Sequence, residues 1–486
     1  MEKIDFADYA KTTNYINDIK QKVVSTKISG NIITTFSAEG KPLYCIENGI
    51  MYTPDFEVCL GLDITGLEDD TADIAIVNIK EGTKIIAAAA FEDFAIKEVI
   101  LPKSVEVLGD HAFENSTVKS INLENVLNYG YEVFSGSFIK EAVINKNAKF
   151  KEIPHLPYGT NGIFHNCIYL ENLNFGPQSV PYGFCTGCVS LKNVVFPNGV
   201  EEIGKCAFEM TSGLKNIEFP SNLILINNSA FAKSGLEKVV FPVSLENIGI
   251  RAFEKCSSLK DVFIPFSDHA LRISDFAFAD SAIKDLIIPE NVNFLGEAFA
   301  LRCKNLKTLH VNASVHALPI HAAAICPSLS NVKFNDHIEV IGFESLMKTA
   351  ITKIDDRFKN IKEYKTAALA DCNNLNFIYI PKDTILNLSS FGSCPNLELV
   401  VCETKYFNGN PFYNSNKNLV VIAPCVEKED FLTTSGLMFE GLGTFLQEVN
   451  SSNIDLLLKY MSFKDIMKLP VKENTFETLS ETTPVK

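Results

Sequence analysis

A self-similar unit of about 23 residues recurs through most of this chain. Each copy contains Ala-Phe, a short turn, Leu-Lys-x-Val-x-Phe-Pro and then Val-x-x-Ile-Gly before the next Ala-Phe. Three successive copies begin at Ala207-Phe208, Ala230-Phe231 and Ala252-Phe253. A fixed period of this length is typical of a solenoid, in which each repeat forms one turn and contacts chiefly its neighbours. The repeat therefore constrains the fold more than any other feature of the sequence.

The phenylalanine of each Ala-Phe pair defines an anchor position that can be followed along the chain. Its predicted members are Phe91, Phe113, Phe134, Phe164, Phe184, Phe208, Phe231, Phe253, Phe278 and Phe299, with weaker copies at Ala323, Leu346, Leu369, Phe391 and Phe412. The short run that follows each anchor alternates apolar and polar residues, which predicts a β-strand. Fifteen such turns at the usual spacing of ~4.8 Å predict a parallel sheet roughly 70 Å long.

The copy between Leu259 and Pro265 illustrates one predicted turn. Successive side chains of a strand point to opposite faces, so Leu259 and Val262 point into the coil while Asp261 and Phe263 point outward. Pro265 ends the strand because proline has no backbone N–H group to donate. One turn cannot bury its apolar side alone, whereas stacked turns can.

The Ala-Phe, Cys-x-x-Leu, Ile-Pro and Ile-Gly elements of about residues 75–425 resemble the BspA-like class of leucine-rich repeats. The sequence Ile-Glu-Asn-Gly-Ile-Met-Tyr of residues 46–52 also resembles a hairpin that such proteins often carry. The resemblance implies an α/β solenoid, namely a leucine-rich-repeat right-handed coil with one long parallel sheet, short helical and turn segments and non-repeat terminal caps; the handedness agrees with that of parallel crossovers in general. It also implies a non-enzymatic scaffold for binding or adhesion, usually on a cell surface.

The aperiodic ends predict the domain organisation. Residues 1–74 are expected to form an N-terminal cap with a helix and a β-hairpin, since a solenoid must shield its first turn. Residues 75–425 are expected to form the solenoid of about 15 turns. Residues 426–470 predict a helical C-terminal cap, or alternatively a docking helix for a second protein, and residues 471–486 a polar tail.

Charge and apolar content limit the classes of function. The 486 residues carry a net charge of −15 and a pI of about 5.1. Such an acidic chain is unsuited to non-specific binding of nucleic acid or of anionic membranes. No stretch approaches 18 uninterrupted apolar residues, so we expect no membrane insertion.

The cysteines and the first residues of the sequence bear on the compartment. Residues 1–8 do not resemble a secretory signal. Seven of the 13 cysteines follow an anchor by three or four residues, which predicts small buried thiols and favours a reducing compartment. Five Asn-x-Ser/Thr sites point the other way. We expect an intracellular or virion-associated protein in preference to a secreted or cell-surface one.

Two sets of residues invite a chemical interpretation. Cys185 lies in a Gly-x-Cys-x-Gly pattern that resembles a nucleophile elbow, which raises the hypothesis of a hydrolase, and Cys185 and Cys188 could form half of a zinc site. A second set falls within one repeat and comprises His310, His316 and His321. Each has a structural explanation, as core thiols or partly exposed polar residues. We therefore expect no enzyme, no catalytic residue, no metal site and no cofactor.

The outward-facing strand residues form the candidate binding surface. Many are apolar, which favours a partner-binding stripe, although β-propensity alone could account for them. The candidate binding residues are Val195, Val240, Phe263, Ile287, His310, Tyr379 and Val401. A loop inserted near residues 151–158 is a second candidate surface. The predicted function is binding of another protein or a glycan, and the alternative is a structural spacer or particle component anchored through its terminal segments.

Overall fold

The structure is a computed structural model that describes residues 5–63, 74–151, 162–424, 444–446, 448–449, 453–466 and 468–470. The chain divides into two compact units, residues 1–259 and 260–486. Short parallel strands with few helices build both units, so the predicted solenoid of about 15 turns is confirmed. The loop expected near residues 151–158 lies outside the described residues apart from its first residue, and so does the tail.

The N-terminal segment of the first unit holds one helix and an antiparallel set of strands. The helix is α1 (Tyr9–Gln21), and the strands are β1 (Ser25–Ser29), β2 (Ile32–Phe36), β3 (Pro42–Glu47), β4 (Ile50–Tyr52) and β5 (Val58–Leu62). The carboxylate of Asp8 accepts a hydrogen bond of 3.0 Å from the backbone of Lys11 and so caps α1. The helix and hairpin expected in this segment are present, while the boundary at residue 74 stays a prediction.

Two rows of parallel strands follow in the first unit. The first row comes from the Val-x-Phe-Pro part of the repeat and contains β6 (Ile74–Asn78), β8 (Ile96–Ile100), β10 (Ser120–Ile121), β12 (Glu141–Val143), β14 (Asn172–Asn174), β16 (Asn193–Val195) and β19 (Lys238–Val240). The second row comes from the Val-x-x-Ile-Gly part and contains β7 (Ile85–Ile86), β9 (Val107–Leu108), β11 (Asn128–Tyr129), β13 (Lys149–Phe150), β15 (Ser179–Val180), β17 (Glu202–Ile203), β18 (Leu225–Ile226) and β20 (Asn247–Ile248). Strand β5 pairs in parallel with β7 and thus joins the antiparallel set to the second row.

The second unit repeats this arrangement. Its first row contains β21 (Asp261–Phe263), β23 (Asp285–Ile288), β25 (Thr308–Val311), β27 (Asn331–Phe334), β29 (Lys353–Ile354), β31 (Phe377–Ile380), β33 (Leu399–Cys402), β35 (Val420–Ile422) and β36 (Thr444–Leu446). Its second row contains β22 (Leu271–Ile273), β24 (Val292–Leu295), β26 (Ala317–Leu318), β28 (Val340–Ile341), β30 (Glu363–Tyr364), β32 (Ile385–Asn387) and β34 (Tyr406–Asn408). The helical segments among the described residues of this unit are a 3-10 turn (Asp356–Phe358), α2 (Ile454–Leu458) and α3 (Phe463–Ile466).

The repeat pattern does not predict the second row of strands. At the Ile-Gly step, Asn247–Ile248 forms β20, and the Ile248 side chain is buried in the core. Gly249 follows because a Cβ atom there would lie 2.6 Å from the backbone carbon of Asn227 in the preceding turn. The glycine is thus required by the close approach of two turns.

Stacked phenylalanine rings fill the interior of the first unit. The rings of Phe91, Phe113, Phe134 and Phe164 are stacked in that order with centroids 5.1–5.4 Å apart. Phe208, Phe231 and Phe253 form a second stack with centroids 5.4 Å apart. All seven side chains are fully buried. The ring spacing is close to the usual strand spacing of ~4.8 Å, so each turn adds one ring to the core.

The backbone around each anchor position is hydrogen-bonded to the next turn. Ser229 and Lys233, two residues before and after Phe231, have positive φ angles of 55° and 58°. The left-handed residues on both sides of Phe231 direct the backbone N–H groups of all three residues toward the following turn. There they donate hydrogen bonds of 2.8–2.9 Å to backbone oxygens. Most non-glycine residues avoid this left-handed region, and its recurrence from turn to turn marks the anchor position independently of the side chain.

This backbone pattern corrects two anchor assignments. Cys185 and Ala300 occupy the anchor position, whereas the predicted Phe184 and Phe299 lie one residue earlier. Cys185 is flanked by glycines with φ angles of 60° and 77°, and Ala300 by residues with φ angles of 54° and 57°. Both phenylalanines are fully buried all the same. Two adjacent apolar residues look alike in a hydrophobic pattern, so only the backbone distinguishes them.

A column of small polar residues lies three residues after the anchor position. The Cys256 thiol donates to the backbone oxygen of Phe231 in the preceding turn over 3.1 Å, and the Ser234 hydroxyl lies 3.3 Å from its sulfur. Burial raises the pKa of Cys256 to about 11. The seven regularly spaced thiols predicted to be buried are free and fully buried: Cys167, Cys188, Cys256, Cys303, Cys326, Cys372 and Cys394. That prediction is confirmed.

Replacing Phe253 with alanine should lower the free energy of unfolding by roughly 3–5 kcal/mol, because it leaves a cavity in the ring stack. Phe263→Ala removes the same ring from an exposed site and should change stability by less than about 0.5 kcal/mol. Urea denaturation of the full chain followed by circular dichroism measures both. Equal effects of the two substitutions would contradict the assignment of Phe253 to the core.

Candidate binding face

The outward side of the first row is open around β21 and β23. Phe263 and Ile287 each lie two residues after the register pair Asp261 and Asp285, so they are neighbours on adjacent strands. Their side chains are 58% and 52% exposed. The register places two exposed carboxylates side by side next to them, and like charges in such positions repel each other. This open face therefore combines an apolar pair with an acidic pair.

The same side of the first unit is less continuous. Val195 and Val240 are exposed as predicted. The exposed Val143 and Val195 lie on β12 and β16, and the exposed Asn174 separates them on β14. Apolar side chains are therefore two strands apart here, roughly 9.6 Å at the usual strand spacing. A partner side chain meets alternating apolar and polar groups on this part of the surface.

Farther along the first row of the second unit, the predicted binding residues become partly buried. His310 pairs in register with Ile287, and burial lowers its pKa. The Asn331 amide lies 3.4 Å from its ring nitrogen. Tyr379 is also partly buried, and its hydroxyl donates to Glu403 over 3.2 Å. Burial, reinforced by Glu403, raises the pKa of Tyr379 to about 12.

Val401 corrects the predicted binding surface. Its side chain is 0% exposed, so the expectation that it is accessible to a partner is wrong. It belongs to an apolar cluster in which residues of β31, β33 and β35 pack against the chain's own C-terminal segment. The buried residues that this segment contributes are Val449, Leu457, Ile466 and Leu469. The outward side of these strands is therefore a covered face.

The contacts at the covered face combine stacking with charge. The ring of Tyr460 lies parallel to that of Phe377 with centroids 5.2 Å apart. The Tyr460 hydroxyl donates to the Glu398 carboxylate over 2.7 Å, and the Lys459 ammonium group pairs with the same carboxylate. These two donors lower the pKa of Glu398. An apolar segment flanked by a basic residue thus covers an apolar sheet face flanked by an acid.

The residues considered for chemistry do not converge on a site. Cys185 is fully buried at an anchor position. His316 and His321 face different carboxylates, Glu339 at 3.6 Å and Glu344 at 2.9 Å. Within the described residues, the one group of three potential metal ligands lies elsewhere, around His111. None of the helices in the described part of the chain is long and apolar enough to cross a membrane.

Several solved structures resemble this one. A leucine-rich repeat protein from Bacteroides ovatus is 19% identical over 86% of this chain and 98% of its own, with a TM-score of 0.54. One from Eubacterium ventriosum is 17% identical over 83% and 96%, with a TM-score of 0.39. A leucine rich cell surface protein from Faecalibacterium prausnitzii is 16% identical over 80% and 96%, with a TM-score of 0.36. The first likeness supports the fold. No curated protein sequence matches the chain.

The stacked turns and parallel strand rows define a leucine-rich-repeat solenoid. The model of the BspA type leucine rich repeat region matches residues 69–180, 178–307 and 296–419. The chain therefore belongs to this family, as its repeat pattern predicted. Leucine-rich repeat proteins generally serve as protein-binding scaffolds and are typically non-enzymatic.

Replacing Leu457 with alanine should lower the free energy of local unfolding of the C-terminal segment by roughly 2–5 kcal/mol, because Leu457 is fully buried against the sheet. Its neighbour Leu458 is 44% exposed, so Leu458→Ala should change that stability by less than about 0.5 kcal/mol. Hydrogen exchange of the backbone amides in α2 measures both. Unchanged exchange in Leu457→Ala would show that the segment does not depend on this contact.

Proposed function

We propose that the chain binds another protein through the open face formed by Phe263, Ile287, Asp261 and Asp285. One observation carries the proposal, namely that an equivalent outward face at β31, β33 and β35 binds an apolar segment, the chain's own C-terminal one. The open face likewise has apolar side chains next to carboxylates, and here they are exposed. Exposed apolar groups that are adjacent on a sheet favour protein docking.

The covered face indicates the chemistry of the partner. Leu457 and Tyr460 supply apolar and aromatic contacts there, and Lys459 pairs with an acid at the edge. We therefore infer a partner segment with an aromatic or aliphatic anchor and a flanking lysine or arginine. Its positive charge would relieve the repulsion between Asp261 and Asp285.

A protein suits this face better than a glycan does. Recognition of a sugar depends on hydrogen bonds to its hydroxyl groups. The two carboxylates of the open face can accept such bonds, but the apolar side chains of Phe263 and Ile287 cannot make them. Burial of these side chains by apolar groups of a protein contributes favourable free energy of roughly 25 cal/mol for each Å² removed from water. The apolar surface therefore favours the protein partner.

The double substitution Phe263→Asp and Ile287→Asp should abolish retention of the partner, since it places two further charges at the centre of the face. Tyr413→Asp is the matched control, because Tyr413 is an exposed aromatic residue next to the anchor Phe412 and not on the first row of strands. Affinity capture on the full-length wild type and both variants, with melting curves to verify folding, compares them.

A protein retained by the wild type and by Tyr413→Asp, but lost from the double variant, supports the proposal. Equal retention by all three chains would contradict it. Loss only after deletion of residues 426–486 would instead favour the structural spacer anchored through its ends.

A further inference from the structure

Three potential metal ligands of the first unit meet on adjacent turns. His111 and Glu132 each lie two residues before an anchor position, and Glu114 directly follows the anchor Phe113. The Nδ1 atom of His111 is 2.6 Å from the Oε2 atom of Glu114 and 3.2 Å from that of Glu132. The three ligand atoms all lie within 4.8 Å of one another. The side chains are largely buried, being 24%, 20% and 18% exposed for His111, Glu114 and Glu132.

The surrounding backbone holds His111 in place. Its φ angle is 59°, in the left-handed region, and its N–H group donates to Tyr131 in the next turn over 2.8 Å. The ring of Tyr9 meets the imidazole edge to face with centroids 5.2 Å apart. The backbone N–H of Tyr9 donates to the buried carboxylate of Asp110 over 3.3 Å, so the start of α1 is fixed beside the imidazole. The cluster is therefore built from rigid elements.

The local charge favours a cation. Glu92 and Asp93 add their negative charge to that of Glu114. A divalent ion bound to the cluster would neutralise part of this negative charge.

A second His–Glu pair at equivalent positions of the repeat lacks the third ligand, so the repeat alone does not produce the three-ligand cluster. His321 and Glu344 occupy the same positions in two adjacent turns of the second unit, with 2.9 Å between Nε2 and Oε2. The residue after the anchor is Ala324 there, where the first unit has Glu114. The pair therefore offers two ligands, and the cluster offers three.

We propose that His111, Glu114 and Glu132 bind one divalent transition-metal ion, for which Zn²⁺ is the test species. Mixed imidazole and carboxylate donors suit such ions, whereas Mg²⁺ and Ca²⁺ prefer oxygen alone. Tetrahedral Zn²⁺ with bonds of about 2.0–2.1 Å separates its ligand atoms by roughly 3.4 Å. The three ligand atoms already lie within 4.8 Å of one another. A water molecule would complete the tetrahedron.

Titration of the chelator-treated full-length chain with Zn²⁺, followed by isothermal calorimetry, tests the proposal. His111→Asn removes the imidazole and keeps a residue that tolerates positive φ, and Glu114→Gln removes one charge without changing shape. Each should weaken binding about 10–100-fold, at least as much as loss of an outer partner of a metal ligand does. His321→Asn is the matched control and should bind as the wild type does.

One Zn²⁺ per wild-type chain, with weaker binding by His111→Asn and Glu114→Gln and unchanged binding by His321→Asn, supports the site. No binding by the wild type, or identical binding by all four chains, would overturn it.

Discussion

The fold depends on the hydrogen bonds that join each anchor segment to the next turn. Left-handed residues on both sides of the anchor direct three N–H groups along the stack, as at Ser229, Phe231 and Lys233. These bonds set the distance between turns, and that distance matches the stacking of the anchor rings. Because the bonds involve backbone atoms alone, the register survives where Cys185 or Ala300 replaces phenylalanine. Ring stacking then adds stability to a geometry that the backbone already defines.

A filled interior leaves the outward side of the strands to interact with other molecules. Every turn must place its anchor and inward strand residues in the core, so variation there is limited. Outward positions carry residues as different as Phe263, His310 and Lys333. The C-terminal segment occupies part of this outward surface, since Leu457 and Tyr460 lie against the outward side of the strands. One architecture thus provides both a self-covered face and an open one.

The features that repeat could be predicted from the sequence, and those that depend on a single long-range contact could not. The period located the turns, and the spacing of Cys256 and its equivalents predicted buried thiols. The burial of Val401 depends on residues 48–68 positions later in the chain, and a periodic pattern does not predict such a contact. The second strand row was missed because two-residue strands such as β20 show no alternation. The His111 cluster was missed because its ligands belong to different repeats.

The repeat also allows equivalent positions to be compared within one chain. Along the outward column of the first unit, apolar Val143 and Val195 are separated by Asn174, so a partner side chain contacts one apolar residue at a time. Phe263 and Ile287 are consecutive in that column, so a single anchor can contact both. Contacts made by one side chain to two neighbours share the entropic cost of its immobilisation. The open face of the second unit is therefore the better docking site, although both units expose apolar residues.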